Sequence, residues 1–222
     1  MATYVLIHGA GDSAWSWGFV AAALRERGHD AIAVDLPCDD DSAGLTEYAD
    51  TVVDAIADRT DLVVVAHSLG GFTAPLVCAR VPAQLLVLAA GMVPSPGETA
   101  NDWWTTSGYI EAARDKPDYG DDEIALFLHD APPERAAEML ARGRDQSGTP
   151  MREPWPLEAW PDVPTRYLLF RDDRFFPADF ARRLARERLG IVADEIEGSH
   201  CAYLSRPDEL ARQLDAYLVH AR

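Results

Sequence analysis

The chain has 222 residues, 48% of them hydrophobic, and a formal net charge of −17. That length and apolar share fit one globular domain with a large core and exclude a disordered chain. So acidic a chain repels phosphate backbones, which makes nucleic acid an unexpected partner, and no stretch reaches the about 18 apolar residues of a membrane span.

Short apolar runs alternate with amphipathic stretches from the start. Tyr4-Val5-Leu6-Ile7 reads as a buried strand, Trp17 to Arg27 as a helix stopped at Gly28, and Ala31-Ile32-Ala33-Val34 as a second strand. Leu45 to Asp58 reads as a helix with Leu45, Tyr48, Ala49, Val52, Val53 and Ile56 on one face. Leu62 to Ala66 is the strongest strand, followed by a helix from Leu69 to Arg80 and a fourth strand at Leu85 to Leu88. The rhythm breaks after Gly91. Residues 100 to 145 read as short helices, and Gly148 to Pro164 carries five prolines. It resumes with strand Tyr167 to Phe170, a helix from Pro177 to Leu189, a strand near Ile191 to Ile196 and a last helix from Pro207 to Val219. Apolar strands alternating with helices predict an α/β fold: a doubly wound, mostly parallel sheet, with one domain spanning 1–222 and a helical cap inserted at about 92–162. Asp39-Asp40-Asp41 reads as a solvated loop.

Three scattered cysteines, Cys38, Cys78 and Cys201, lack metal-ligand spacing and suit a reducing compartment. Met1 to Gly9 has no basic leader, so a cytoplasmic location is expected.

Chemistry concentrates in Ala66-His67-Ser68-Leu69-Gly70-Gly71, which joins the strongest strand to a helix. A nucleophile on such a sharp turn projects clear of the backbone, and small residues two positions away let strand and helix meet closely. Ala66 and Gly70 meet that demand, so Ser68 is the expected nucleophile. A serine needs a base and donors for the developing oxyanion. The N–H groups of Leu69 and of Ala10, in His8-Gly9-Ala10-Gly11, are the expected oxyanion hole, with His8 a structural hydrogen-bonder of that loop. His200 follows the last strand and is the expected base; His29, His129 and His220 are placed worse. His67 flanks the nucleophile and is a candidate to line the site, with its side chain expected to point away from Ser68. Asp173 follows the strand ending at Phe170 and precedes Pro177, which opens a helix; it is the expected acid, with Asp172 its rival. Glu98 is a poor alternative acid. Pro75 sits inside the helix behind Ser68 and threatens a kink.

These residues resemble the α/β-hydrolase superfamily from Tyr4 to about Val219. The opening His8-Gly9-Ala10, Ala14-Trp15-Ser16-Trp17, Gly28-His29 and Asp35-Leu36-Pro37 resembles its methylesterase and hydroxynitrile-lyase branch. The resemblance implies a parallel sheet under a helical cap. The chain begins directly at the strand leading into the oxyanion loop, so the usual first two strands are expected to be missing, leaving about six. It carries Cys201 where the plant lyases carry lysine, and Gly9 where they tend to carry threonine, and both departures favour an esterase.

The expected chemistry is acyl transfer from a small to medium, largely apolar ester, thioester or lactone to water. No metal or organic cofactor is required. Trp103, Trp104, Tyr109, Phe127 and Trp155 are candidate substrate-binding residues, with the internal core of the cap as the competing use of such aromatics. A homodimer is left open. Two alternatives come from other classes: a small-molecule receptor or idle scaffold, separated by turnover of simple esters, and a lyase or cofactor-free oxidising enzyme, separated by product analysis.

Overall fold

In a computed structural model, residues 1–220 are described; the last two residues of the expected 1–222 domain, and the side chains of Val219 and His220, lie outside the described part. Six strands form one parallel sheet in the order β2-β1-β3-β4-β5-β6. They are β1 (Thr3–Ile7), β2 (Asp30–Val34), β3 (Leu62–His67), β4 (Ala83–Ala89), β5 (Thr165–Phe170) and β6 (Asp194–Ile196). The helices are α1 (Gly18–Glu26), preceded by a 3-10 turn at Ala14–Trp17, then α2 (Leu45–Ile56) and α3 (Gly70–Cys78). The insertion between β4 and β5 holds α4 (Ala100–Thr106), α5 (Tyr109–Ala112), α6 (Glu123–Phe127), α7 (Pro133–Ala141) and α8 (Thr149–Arg152). After β5 come α9 (Ala178–Leu189), α10 (Ala202–Ser205) and α11 (Pro207–His220).

The expected α/β class and strand count are therefore present. The β6 expectation was too long: Ile191 lies outside the strand, which has three residues. The brief α10 after His200 has too few residues for a period and was not visible in the sequence.

The sheet is central because its strands are apolar throughout. Tyr4, Val5, Leu6 and Ile7 of β1, and Val63, Val64, Val65 and Ala66 of β3, are fully buried, as strands covered on both faces must be. Strand β1 pairs with β2 on one side and β3 on the other, so the chain order reverses there. Such a switch point leaves a crevice beyond the carboxyl ends of the strands. The register, Ile7 opposite Ala66, sets the loop after β1 beside the turn after β3. Pro75 remains inside α3, whose residues from Gly70 to Val77 are all buried. Among the described residues, no helix is long and apolar enough to cross a membrane.

Candidate active site

Ser68 leaves β3 with φ +50°, a left-handed conformation that costs a residue with a Cβ and needs surrounding support. That support is visible. The Ser68 carbonyl accepts from the Gly71 N–H at 3.0 Å and the Met92 N–H at 2.9 Å. Gly70 is needed because a Cβ there would stand 2.7 Å from the His8 carbonyl oxygen, and a Cβ on Gly71 would collide with the Met92 carbonyl. Gly9 is equally constrained: its Cβ would lie 2.9 Å from the Ser68 Cβ. A threonine at position 9 would thus press on Ser68.

The loop after β1 is oriented by His8. The Leu36 N–H donates to His8 Nε2 at 3.0 Å, so that nitrogen carries no proton. His8 Nδ1–H then donates to the Gly9 carbonyl at 2.7 Å. Burial holds the imidazole below its usual pKa, which keeps it neutral in this tautomer. The Gly9 carbonyl shares a peptide plane with the Ala10 N–H. Holding the carbonyl on one side turns the N–H to the other. Neither the Ala10 nor the Leu69 N–H donates to another described group. His8 is thus a structural hydrogen-bonder of the loop.

Across the crevice, His200 Nδ1–H donates to Asp173 Oδ2 at 2.7 Å. Asp173 Oδ1 accepts from the Phe175 and Phe176 N–H groups at 2.7 and 2.9 Å. Both side chains are nearly inaccessible to water, at 4% and 1% exposure for His200 and Asp173. Three donors on one buried carboxylate fix its position, and the carboxylate in turn fixes the imidazole. The rival Asp172 points elsewhere: its Oδ2 accepts from the Gly198 N–H at 3.0 Å, which pins the start of the His200 loop. Glu98 pairs with Arg188, not with a histidine. His129 Nε2 donates to the Asp172 carbonyl, and His29 pairs with Asp215.

His67 lines the cavity beside Ser68, and it makes a contact that the sequence does not announce. Its ring packs 4.5 Å from that of His200, and its Nε2–H donates to the His200 carbonyl at 2.9 Å. Burial, reinforced by repulsion from a charged His200, pushes its pKa well below the usual value. The bond was invisible in the sequence because its two ends are 133 positions apart.

Ser68, Leu69, Ala10, His67 and His200 line one cavity of about 330 Å³, within the usual range for small-molecule sites. Trp104 and Phe127 lie on its wall. Trp103, Tyr109 and Trp155 do not. Trp103 is fully buried among Phe176, Phe180 and Trp104 and donates its Nε1–H to the Val93 carbonyl. Trp155 donates to the Phe72 carbonyl, and Tyr109 packs behind, against Trp104 and Phe175. These rings form the inner core of the insertion. The sequence reading missed Met92, Met139 and Met151, which all line the cavity. They are every methionine after Met1, and that restricted placement was a legible signal for a soft, adaptable wall. It also missed a buried polar network: Asp12 accepts from Ser16 Oγ at 2.5 Å and Tyr203 Oη at 3.1 Å. Tyr203 stands 3.2 Å from Cys201 Sγ, which ties the loop after β1 to the helix after His200.

A parallel sheet that presents a serine elbow, a backbone-N–H loop and a buried acid–histidine pair at one end defines an α/β-hydrolase. The family model described as "Alpha/beta hydrolase family" matches residues 4–213, and the chain belongs to that family. It is similar to "Probable esterase PIR7A" of Oryza sativa subsp. indica, at 34% identity over 149 residues. That match covers 62% of this chain and 55% of the rice protein, so the chain matches little more than half the length of that relative. It is also similar to "Putative methylesterase 14, chloroplastic" of Arabidopsis thaliana, at 27% identity over 95% of this chain and 70% of that protein. Among solved structures, polyneuridine aldehyde esterase shares the fold with a TM-score of 0.81 at 21% identity, over 98% of this chain and 99% of that one. The resemblance to the methylesterase branch seen in the sequence therefore has named relatives behind it.

Proposed function

We infer that this protein is a serine hydrolase acting on small to medium, largely apolar carboxylic esters through an acyl-enzyme. The observation that carries the reading is the buried Asp173–His200 pair opening on the cavity that Ser68 enters from a left-handed turn. Esterases and methylesterases among the named relatives support it.

In this reading, Ser68 attacks the ester carbonyl while His200 Nε2 takes its proton. Asp173 holds the imidazole in the required tautomer and stabilises the imidazolium. The Ala10 and Leu69 N–H groups receive the oxyanion, and Leu69 adds the favourable field of the α3 N-terminus. His200 then protonates the leaving alcohol, and water repeats the sequence on the acyl-enzyme. Trp104, Phe127, Phe175 and the three methionines supply an apolar wall for the acyl or alcohol group. A thioester or lactone would fit the same attack. The three cysteines are all free thiols, which suits a reducing compartment such as the cytoplasm.

The test is hydrolysis of p-nitrophenyl esters of increasing chain length by the wild type and by Ser68→Ala. The expected outcome is wild-type turnover, with kcat lower by at least about 10⁴-fold in the variant. A variant that retains most of the activity would remove Ser68 from the mechanism.

A further inference from the structure

Three consecutive peptide units in the loop after β1 are each held by a different partner. The unit from Gly9 to Ala10 is held from the core by His8. The next unit is held from the insertion: the Gly11 N–H donates to Gln146 Oε1 at 3.2 Å. The third is held there too, because the Arg144 N–H donates to the Gly11 carbonyl at 2.7 Å. Gln146 is itself braced. Its Nε2 donates to Tyr48 Oη at 3.1 Å and to the Ser147 carbonyl at 3.0 Å. The Ser147 N–H donates to the Cys38 carbonyl at 2.6 Å. Tyr48 is a buried residue of α2, so the brace reaches the core. The approach is close: Gly11 has φ +63°, and a Cβ there would stand 2.8 Å from the Arg144 carbonyl oxygen.

We propose that Gln146 is a positioning residue for the oxyanion hole, and that turnover requires residues 144–147 of the insertion to be seated on the loop after β1. Ala10 is exposed and has only a methyl group, so its own side chain cannot fix its peptide planes. His8 fixes the plane on its N-terminal side. Gln146 fixes the plane on its C-terminal side, next to a glycine with wide torsional freedom. Without the Gln146 acceptor, the Ala10–Gly11 unit loses its hold, so the Ala10 Cα can shift and carry its N–H off the place where negative charge develops. Its bond to the oxyanion strengthens as the transition state forms, so misplacement costs rate more than substrate binding.

The proposal rests on the serine-hydrolase reading, and the experiment separates the two. Steady-state kinetics with p-nitrophenyl butyrate would be measured for the wild type, Gln146→Met and Gln146→Glu. Binding of a butyryl trifluoromethyl ketone, which forms a charged adduct on the serine, would be measured alongside. Gln146→Met keeps the length of the side chain and removes its polar atoms. It should lower kcat about 10- to 100-fold, leave KM within about threefold and weaken the ketone by a factor similar to kcat. Gln146→Glu keeps an oxygen for the Gly11 N–H but turns an acceptor toward the Ser147 carbonyl, so it should recover part of kcat. Gln146 is half-buried, so the methionine variant should fold. Should it unfold, Tyr48→Phe removes the brace instead and should cost about 3- to 10-fold in kcat. Wild-type kcat in Gln146→Met, a loss confined to KM, or no rescue by glutamate would each overturn the proposal. A wild type that neither cleaves the ester nor binds the ketone would overturn the serine-hydrolase reading itself.

Discussion

Strands β1 and β3 satisfy their backbones through each other, in a register that runs from Thr3 opposite Leu62 to Ile7 opposite Ala66. The insertion between β4 and β5 is held differently, by isolated contacts: lone backbone bonds such as Arg144 N–H to the Gly11 carbonyl, and single side chains. Trp103 reaches the Val93 carbonyl, Trp155 the Phe72 carbonyl and Arg188 the Val93 carbonyl. Glu153 accepts from the Leu45 N–H at the start of α2. The first kind of bonding is cooperative and repeats along the element. The second is discrete, so each contact can be removed alone. The groups of the proposed mechanism divide in the same way. Ser68, His200 and Asp173 stand on loops fixed by the sheet, whereas much of the cavity wall and the brace on Gly11 come from the insertion.

The largest expected effect falls on the core side of this division. Asp173→Asn should lower kcat by about 10⁴-fold, because an amide nitrogen cannot accept the His200 Nδ1–H and the imidazole would be held in the wrong tautomer. The fold should be largely unaffected, since the sheet does not depend on this pair. Ester kinetics and circular dichroism on one preparation would check both halves. A large loss of structure would show that the pair is part of the scaffold and blur the comparison.

The next effect falls on the insertion. Glu98 and Arg188 form an ion pair in which the side chains are 6% and 12% exposed, with Glu98 Oε1 also 2.8 Å from Arg188 Nη2. Removing one partner leaves a nearly buried charge. Arg188→Ala should cost about 3 kcal/mol in denaturant unfolding, with the Arg188→Ala, Glu98→Gln pair recovering part of it. If the single variant loses less than about 0.5 kcal/mol, the insertion is not anchored by discrete contacts of this kind.

What was legible in the sequence follows the same line. Val63, Val64 and Val65 declare a buried strand by themselves, and Pro177 marks the start of α9 closely enough to place Asp173 on the loop before it. The small residues around Ser68 could be read because steric demand at the elbow is local. Trp103, Tyr109 and Trp155 could not be sorted from Trp104 and Phe127, because nothing local tells an aromatic ring that faces a cavity from one that fills a core. Only their partners decide, and those lie far along the chain: Phe72 is 83 positions from Trp155. Gln146, and the bond that His67 makes, were missed for the same reason. Their work is a bond to Gly11, 135 positions away, and to His200, 133 positions away.

The smallest effect concerns acid, and it again separates core from insertion. His8 and His67, both at the ends of core strands, are buried and held neutral, with pKa values pushed below the ordinary one mainly by burial. In the unfolded chain each would bind a proton near the usual histidine pKa of about 6.5. Below that pH the unfolded state therefore binds more protons than the folded one, so stability must fall as pH falls. Above it these two groups contribute no slope. Each can remove up to about 1.4 kcal/mol per pH unit, together up to about 2.7. The window from pH 6.5 to 5.5 lies above the ordinary carboxylate range, so the histidines should dominate it. Urea midpoints measured across that window should fall steeply for the wild type. His67→Gln keeps a donor for the His200 carbonyl and cannot titrate, so its slope should be lower by about one proton's share. A slope unchanged by that substitution would mean that acid acts elsewhere, and that the buried core is not the acid-sensitive part of the molecule.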